Sequence, residues 1–348
     1  MRRIAVWNTA FLGDAVLTLP LLQSLRLRYP DARLDFYVRS GLQGLFTPQP
    51  ALSAVYGFDK RGGHKGAAGL LNTARTVRSG RYDLWISTHL SPRSGMIALA
   101  SGASVRIGYK QAFLAPLVYT QTVARRFDEL DEIERLLELL RPLGDGPVST
   151  WPELALGLNE SESAERFFAS VQGPALGLHP GSVWATKRWP ARHFAEIGVK
   201  ALQTGAHVLL FAGPGEEGIA QAVHAYIADG IPEQGLSRLH NLAGQLSLPL
   251  LAAYLKHLSC YVTNDSGPMH LAWAQGTPVT ALFGPTVRSL GFFPRGPGAT
   301  VFETPLSCRP CGLHGPSACP LGHHHCMTQI SPERVWPDVE AKLHSKRG

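Results

Sequence analysis

Apolar residues fall in short blocks along the sequence, each closed by a turn-rich stretch and followed by apolar positions at helical spacing. Residues 3–8 form the first block and predict a strand. Residues 9–14 read as a loop, and 15–29 as a helix with Val16, Leu19, Leu22 and Leu25 or Leu27 on one face. Pro20 falls inside that pattern and predicts a kink or a delayed start. A second strand at 34–38 completes a βαβ unit, so a parallel sheet begins at residue 3. The pattern continues with strands at 54–58 and 82–88, helices at 70–79 and 91–99, and a short segment at 106–110. An amphipathic helix with an acidic outer face follows at 130–140. The Pro/Gly/Ser-rich stretch 144–152 approaches a linker, and a helix at 160–171 closes the first half.

The alternation restarts with a strand at 175–179, a helix at 191–204, strands at 208–212 and 239–243, and a helix at 249–257. Its clearest unit is residues 262–286, VTNDSGPMHLAWAQGTPVTALFGPT. There a strand, a tight turn, a helix and a strand at 279–283 succeed one another. Pro268 suits the first helical position, and Gly276-Thr277-Pro278 stops the helix. Residues 331–344 predict a terminal helix. Repeated βα units imply an α/β protein with two Rossmann-like domains whose functional groups gather at one end and face a cleft. The expected divisions are 1–172, 173–330, and a C-terminal helix with a basic tail at 331–348.

Candidate chemistry lies at the strand-to-helix turns. A helix that opens beside Asp265, Ser266 and Gly267 points unpaired N–H groups and its positive dipole end at the loop, which makes an anion site. His270 faces the same mouth. Capping uses the same residue types, so an ordinary capped helix with a buried histidine is the alternative. In HPGSVWATKRWP, Lys187 stands just before a helix and could neutralise a diphosphate, or lie solvated on the surface. Glu216, after Gly213-Pro214-Gly215, could bond ribose hydroxyls or favour a helix start, and Glu217 could take its place. Asp14 lies at the mouth of the first strand-to-helix turn, where open α/β sheets hold ligands. It could equally satisfy the helix dipole.

Composition narrows the classes. The 348 residues suffice for two cores. No apolar run is long enough to span a bilayer, and the opening MRRIAVW reads as a strand rather than a signal peptide, which predicts a cytoplasmic protein. The net charge of +7 is unevenly placed. Residues 1–126 hold 17 Lys and Arg against 5 Asp and Glu, whereas residues 127–170 hold 3 against 11. The basic part suits an anionic partner. No nucleic-acid motif is present, so nucleic acid is not expected, and an acidic or phosphorylated glycolipid at a membrane face fits.

Five stretches together carry a resemblance: GDAVLTLPLLQSLRLRYPDARLDF, HPGS with TKRWP, FAGPGEE, LAGQLSL and VTNDSGPMHLAWAQGTPVTALFGPT. The protein resembles glycosyltransferase family 9, the ADP-heptose:lipopolysaccharide heptosyltransferases, and within it most the enzymes that add the second heptose. The resemblance implies a GT-B fold with the acceptor on the N-terminal domain and the nucleotide-sugar on the C-terminal one. It implies an inverting, metal-independent transfer of heptose from ADP-heptose to the anionic inner core of lipopolysaccharide, at the inner membrane's cytoplasmic face. Asp14 then looks like the general base, with Gly13 letting the backbone approach. Ser182 and Lys187 should meet the diphosphate, Glu216 the ribose and Leu246 the adenine. Asp265, Ser266, Gly267 and His270 should hold the diphosphate and sugar end. Lys60, Arg61, Lys65 and Arg93 are the candidates for the anionic acceptor.

Cys308, Cys311, Cys319 and Cys326 form a late cluster with three adjacent histidines. In a cytosolic protein the spacing of Cys308 and Cys311, two residues between them, suggests metal before disulfide. A structural zinc closed by four thiolates is therefore one expectation and a free-thiol loop the other. No cofactor is expected to be obligatory. The alternative to a transferase of heptose or another nucleotide-sugar is a non-catalytic, metal-stabilised binder of acidic glycan or nucleic acid.

Overall fold

Two six-stranded sheets, parallel throughout, form the framework of this computed structural model, which describes residues 1–60 and 62–345. The first unit, Met1–Ala155, contains β1 (Arg3–Asn8), β2 (Arg33–Arg39), β3 (Ala54–Phe58), β4 (Leu84–Ser87), β5 (Val105–Tyr109) and β6 (Gln121–Val123). Its helices are α1 (Leu12–Leu17), α2 (Leu19–Arg28), α3 (Gln43–Phe46), α4 (Gly66–Ser79), α5 (Pro92–Ala100), α6 (Ala115–Val118) and α7 (Glu132–Glu138). The strand order is β3-β2-β1-β4-β5-β6. This is the doubly wound order, and the crevice where it reverses lies between β1 and β4.

The second unit, Leu156–Gly348, repeats the plan. Helix α8 (Leu158–Phe168) leads into β7 (Ala175–His179), α9 (Ala191–Gln203), β8 (His207–Leu210), α10 (Glu217–Asp229) and β9 (Leu239–Asn241). Then come α11 (Leu248–Lys256), β10 (Cys260–Asn264), α12 (Gly267–Ala274), β11 (Val279–Phe283), β12 (Ala299–Glu303), α13 (His325–Thr328) and α14 (Pro332–His344). The order β12-β11-β10-β7-β8-β9 reverses between β7 and β10.

The strands are short apolar runs because helices cover both faces of each parallel sheet. β7, β10 and β11 are buried at every position. In the first unit Trp7, Tyr37, Phe58, Tyr82 and Trp85 pack as one aromatic cluster, with Trp7 4.9 Å from Phe58 between ring centroids.

Four expectations change. The helix expected at 15–29 is two helices, broken at Thr18, and Pro20 sits in the first turn of α2, where a missing N–H costs nothing. Likewise Gly267, not Pro268, opens α12. The units divide after Ala155 rather than after 172, because α8 packs on α11: the Phe167 ring lies 5.0 Å from Tyr254, and Phe168 stacks 4.8 Å from His257. The terminal helix is no separate piece, since Val335, Val339 and Leu343 of α14 belong to the second core. The end of the basic tail, 346–348, lies outside the described residues.

Candidate active site

The loops after the carboxyl ends of the strands carry the candidate site residues, and each unit builds its own part. In the first unit β1 ends in Asn8, whose amide donates to the Asp14 carbonyl (3.2 Å) and to Thr18 Oγ1 (2.7 Å). That clamp fixes the first turn of α1. Gly13 is buried there, and Asp14 is half-buried at the third helical position. The Asp14 carboxylate accepts from the Phe11 N–H at 3.2 Å. Burial, reinforced by the Glu132 carboxylate, raises the Asp14 pKa from 3.8 to about 6, with the Phe11 N–H and Arg125 opposing. An acid in that range is ionised at neutral pH and is a stronger base than an ordinary carboxylate.

His89, just beyond β4, accepts the Thr9 N–H at Nε2 (2.8 Å). Burial, with Lys60 and Arg125, holds its pKa down to about 3, so the ring stays neutral. Next to this turn lies a cavity of about 440 Å³ lined by Thr9, Phe11, Arg39, Asp59 and Lys60. Burial and the Arg39 and Arg93 charges lower the Lys60 pKa, as expected where cations crowd a site for an anion. Arg93 lies in the first turn of α5, 6.0 Å over the Phe58 ring, and Lys65 is an exposed residue at the start of α4. Arg61 lies outside the described residues.

In the second unit Asn264 holds the switch point together. Its amide donates to the carbonyls of Pro180 (2.9 Å) and Gly181 (3.2 Å), and its oxygen accepts from the Trp189 N–H (2.9 Å). The HPGS and KRWP loops are thereby bound to the end of β10. Lys187 Nζ meets Asp265 at 2.5 Å, and Thr286 Oγ1 donates to the same carboxylate oxygen at 2.7 Å. Ser182 is buried beside them, its carbonyl accepting from Arg188 Nε at 2.7 Å. Ser266 makes no side-chain cap to α12, which weighs against the simple capping alternative; Pro268 has no N–H and the Met269 N–H donates to the Ser266 carbonyl at 3.2 Å, which leaves the Gly267 N–H to face the loop. His270 is buried, and its Nδ1 has no partner among the described residues. Burial pushes its pKa down to about 4, with Asp265 opposing and Lys187 adding to the shift.

Glu216 and Glu217 have separate places. Glu217 accepts the Gly215 N–H at 2.8 Å and so closes its own turn. Glu216 lies against the end of β7: a Cβ on Gly181 would stand 2.1 Å from its Oε2, and His179 Nε2 is 3.8 Å away. Burial would raise the Glu216 pKa, but His179, the Gly213 backbone and Arg188 outweigh it and lower the pKa. Leu246 is half-buried in the loop after β9. The second-unit candidates thus collect at the carboxyl edge of one sheet, Lys187 and Asp265 in direct contact. Asn264, Thr286, His89 and Arg39 are additions. Asn264 stands inside the quoted TNDSG stretch, but its role needs three partners distant in sequence.

The cysteine loop does not meet the zinc expectation. All four thiols are free, and among the described residues no group of three or more His, Cys, Asp or Glu could hold a metal ion. Cys326 is buried against Gly284, and Cys311 Sγ donates to the Cys308 carbonyl at 3.2 Å. The loop is held instead by Arg309, which donates to the carbonyls of Gly284 and Thr286 and pairs with Glu303. It also braces the turn that carries Lys187: Thr186 Oγ1 donates to the Pro316 carbonyl, and His324 Nε2 bonds the Thr186 carbonyl, both at 2.6 Å.

Two doubly wound units with nucleotide-type switch points define the GT-B class of α/β protein. The family model of glycosyltransferase family 9 (heptosyltransferase) matches residues 70–315, and the protein belongs to that family. It is 26% identical to lipopolysaccharide heptosyltransferase 2 of Escherichia coli K12, over 98% of both sequences. A glycosyltransferase family 9 structure from Veillonella parvula superposes with a TM-score of 0.86 at 26% identity, covering 98% of this protein and 97% of that one. The structure of E. coli ADP-heptose LPS heptosyltransferase II superposes at 0.78 with 23% identity, over 99% and 98%.

Proposed function

We propose that this protein is an inverting glycosyltransferase that moves a heptose from ADP-heptose to the inner core of lipopolysaccharide. The observation that carries the reading is the meeting of Lys187, Asp265, Thr286 and the start of α12 at the second switch point. The names of the relatives support heptose as the sugar and lipopolysaccharide as the acceptor.

In this reading Leu246 lies against adenine and Glu216 bonds the ribose. Ser182, Lys187 and the Gly267 N–H at the start of α12 take the diphosphate, and His270 the sugar end. As the glycosidic bond to phosphate breaks, the anomeric carbon becomes oxocarbenium-like. Asp14 takes the acceptor hydroxyl's proton, and that oxygen attacks from the opposite face, which inverts the configuration. Charge on the departing ADP falls on Lys187 and the Gly267 N–H, so the scheme asks for no metal ion. Arg39, Lys60, Lys65 and Arg93 suit the anionic acceptor, which lies at the cytoplasmic face of the inner membrane.

Calorimetry with ADP tests the donor half. Lys187→Ala is expected to weaken ADP binding by about tenfold or more, as loss of a charge-assisted contact implies. Asp265 loses its cation and keeps only the Thr286 hydroxyl on that oxygen, so a lower melting temperature accompanies the change. Unchanged ADP affinity would remove Lys187 from the donor site.

A further inference from the structure

The first unit carries a surface that the transfer chemistry does not use. Phe113, Leu114 and Leu117, in and just before α6, are 58%, 51% and 73% exposed. Met96 and Leu99, three apart on α5, and Leu71 on α4 are also exposed. These helices adjoin: α4 packs on α5, and a Cβ on Gly95 of α5 would touch Val118 of α6 at 3.4 Å. The apolar tip is built rather than loose. Arg106 donates to the Val118 carbonyl (2.7 Å) and the Ala103 carbonyl (2.6 Å), and the Phe113 N–H to the Leu90 carbonyl (3.3 Å). Leu114 is held at φ 54, a region costly for a branched side chain.

Charge says what this face meets. Between Asp59 and Asp128 the sequence holds eleven Lys and Arg and a single acidic residue, Asp83. Asp83 is spent at the amino end of β4, where it accepts the N–H groups of Arg2 and Arg3 at 2.7 and 2.9 Å. The described parts of α4, α5 and α6 and the turn after β5 therefore show apolar residues among exposed cations such as Arg75 on α4 and Lys110 in that turn, and these segments hold no carboxylate. Ordinary soluble surfaces mix both signs and scatter their apolar residues. Apolar side chains set among unopposed cations suit the interface of an anionic bilayer. A second copy of this protein fits poorly, because a two-fold contact would set the cations against themselves.

We propose that the α4–α5–α6 face seats the first unit on a bilayer bearing anionic phospholipid. Phe113, Leu114 and Leu117 enter the acyl boundary, while Arg75 and Lys110 meet headgroup phosphates. The inference rests on the reading of the acceptor as a membrane glycolipid, but its test needs no transfer. The full-length protein is floated with vesicles of phosphatidylethanolamine and phosphatidylglycerol, and with vesicles of phosphatidylcholine alone. Binding is expected with the first and not with the second, and is expected to fall at high salt. Phe113→Ser with Leu117→Ser is expected to weaken it by about tenfold or more. Its melting temperature and its turnover on a delipidated, water-soluble acceptor should stay unchanged. Lys110→Glu gives an independent, weaker loss if the double variant does not fold. Wild-type protein that ignores the anionic vesicles overturns the proposal, as does full binding by both variants. So does a self-association, seen by sedimentation, that the double variant abolishes. Vesicle binding without heptose transfer counts against the donor reading alone.

Discussion

Burial makes the ionised form of Asp14 costly to the fold, as the proposed base role would require. With its folded pKa raised to about 6 from 3.8, the ionised carboxylate is the costly form in the folded protein. The stabilisation from protonation is complete below the ordinary value and is lost as pH rises through about 6. Asp14→Asn is therefore expected to stabilise the fold at neutral pH, by up to about 3 kcal/mol at 1.36 kcal/mol per pKa unit, and so to raise the melting temperature. It should lower turnover by about 10²-fold or more, because the base is gone. In the wild type, turnover should fall as pH drops through about 6. His89 and His270, held near 3 and 4, stay neutral there and give no competing limb. A kcat profile flat through that range, or full turnover in the variant, takes the base role from Asp14.

At the scale of elements, the donor loops stand on Asn264 and on the absence of a side chain at Gly181. Gly181→Ala would place a methyl 2.1 Å from Glu216 and push that carboxylate away from the end of β7. ADP affinity is expected to fall in this variant and in Glu216→Gln, and to hold in Glu217→Gln, whose carboxylate only closes the Gly215 turn. Equal losses in Glu216→Gln and Glu217→Gln, measured by calorimetry, would undo the distinction. Asn264→Ala strands the Trp189 N–H and two carbonyls, and should cost about 1–3 kcal/mol for each buried group left unpaired. The sequence shows the buried central strands, because buried parallel strands are short apolar runs: 3–8, 175–179 and 279–283 keep their bounds in the structure. It shows the motif residues for the same reason, since turn chemistry is local. Of helix α10 the sequence offers only a start near Glu216, although its buried Ala220, Val223 and Ile227 recur at helical spacing. Strand β12 is half-buried along its length and has no clear apolar run to announce it. The clamp by Asn264, the bracing of Lys187 by the cysteine loop and the choice between Glu216 and Glu217 depend on residues brought together from far along the sequence. No spacing rule reports those.

At the scale of the whole molecule, charge separates the two roles. Of the 17 Lys and Arg in residues 1–126, Arg39 and Lys60 line the cavity next to the Thr9–Phe11 turn, while Lys187 meets Asp265 in the second unit. Charge reversal at Lys60 or Arg93 is expected to raise the acceptor KM with little change in ADP affinity, and the effect should shrink at high salt. A KM unaffected by either change would move the acceptor elsewhere. Heptosyl transfer itself is read out by mass spectrometry of the products. Purified protein is incubated with a panel of nucleotide-sugars and a heptose-deficient lipopolysaccharide core. A mass gain of one heptose from ADP-heptose is expected, with and without a chelator, and at a rate about 10²-fold lower or more with Asp14→Asn. Product from a different nucleotide-sugar alone, or a heptose adduct undiminished in Asp14→Asn, would contradict the proposed reaction.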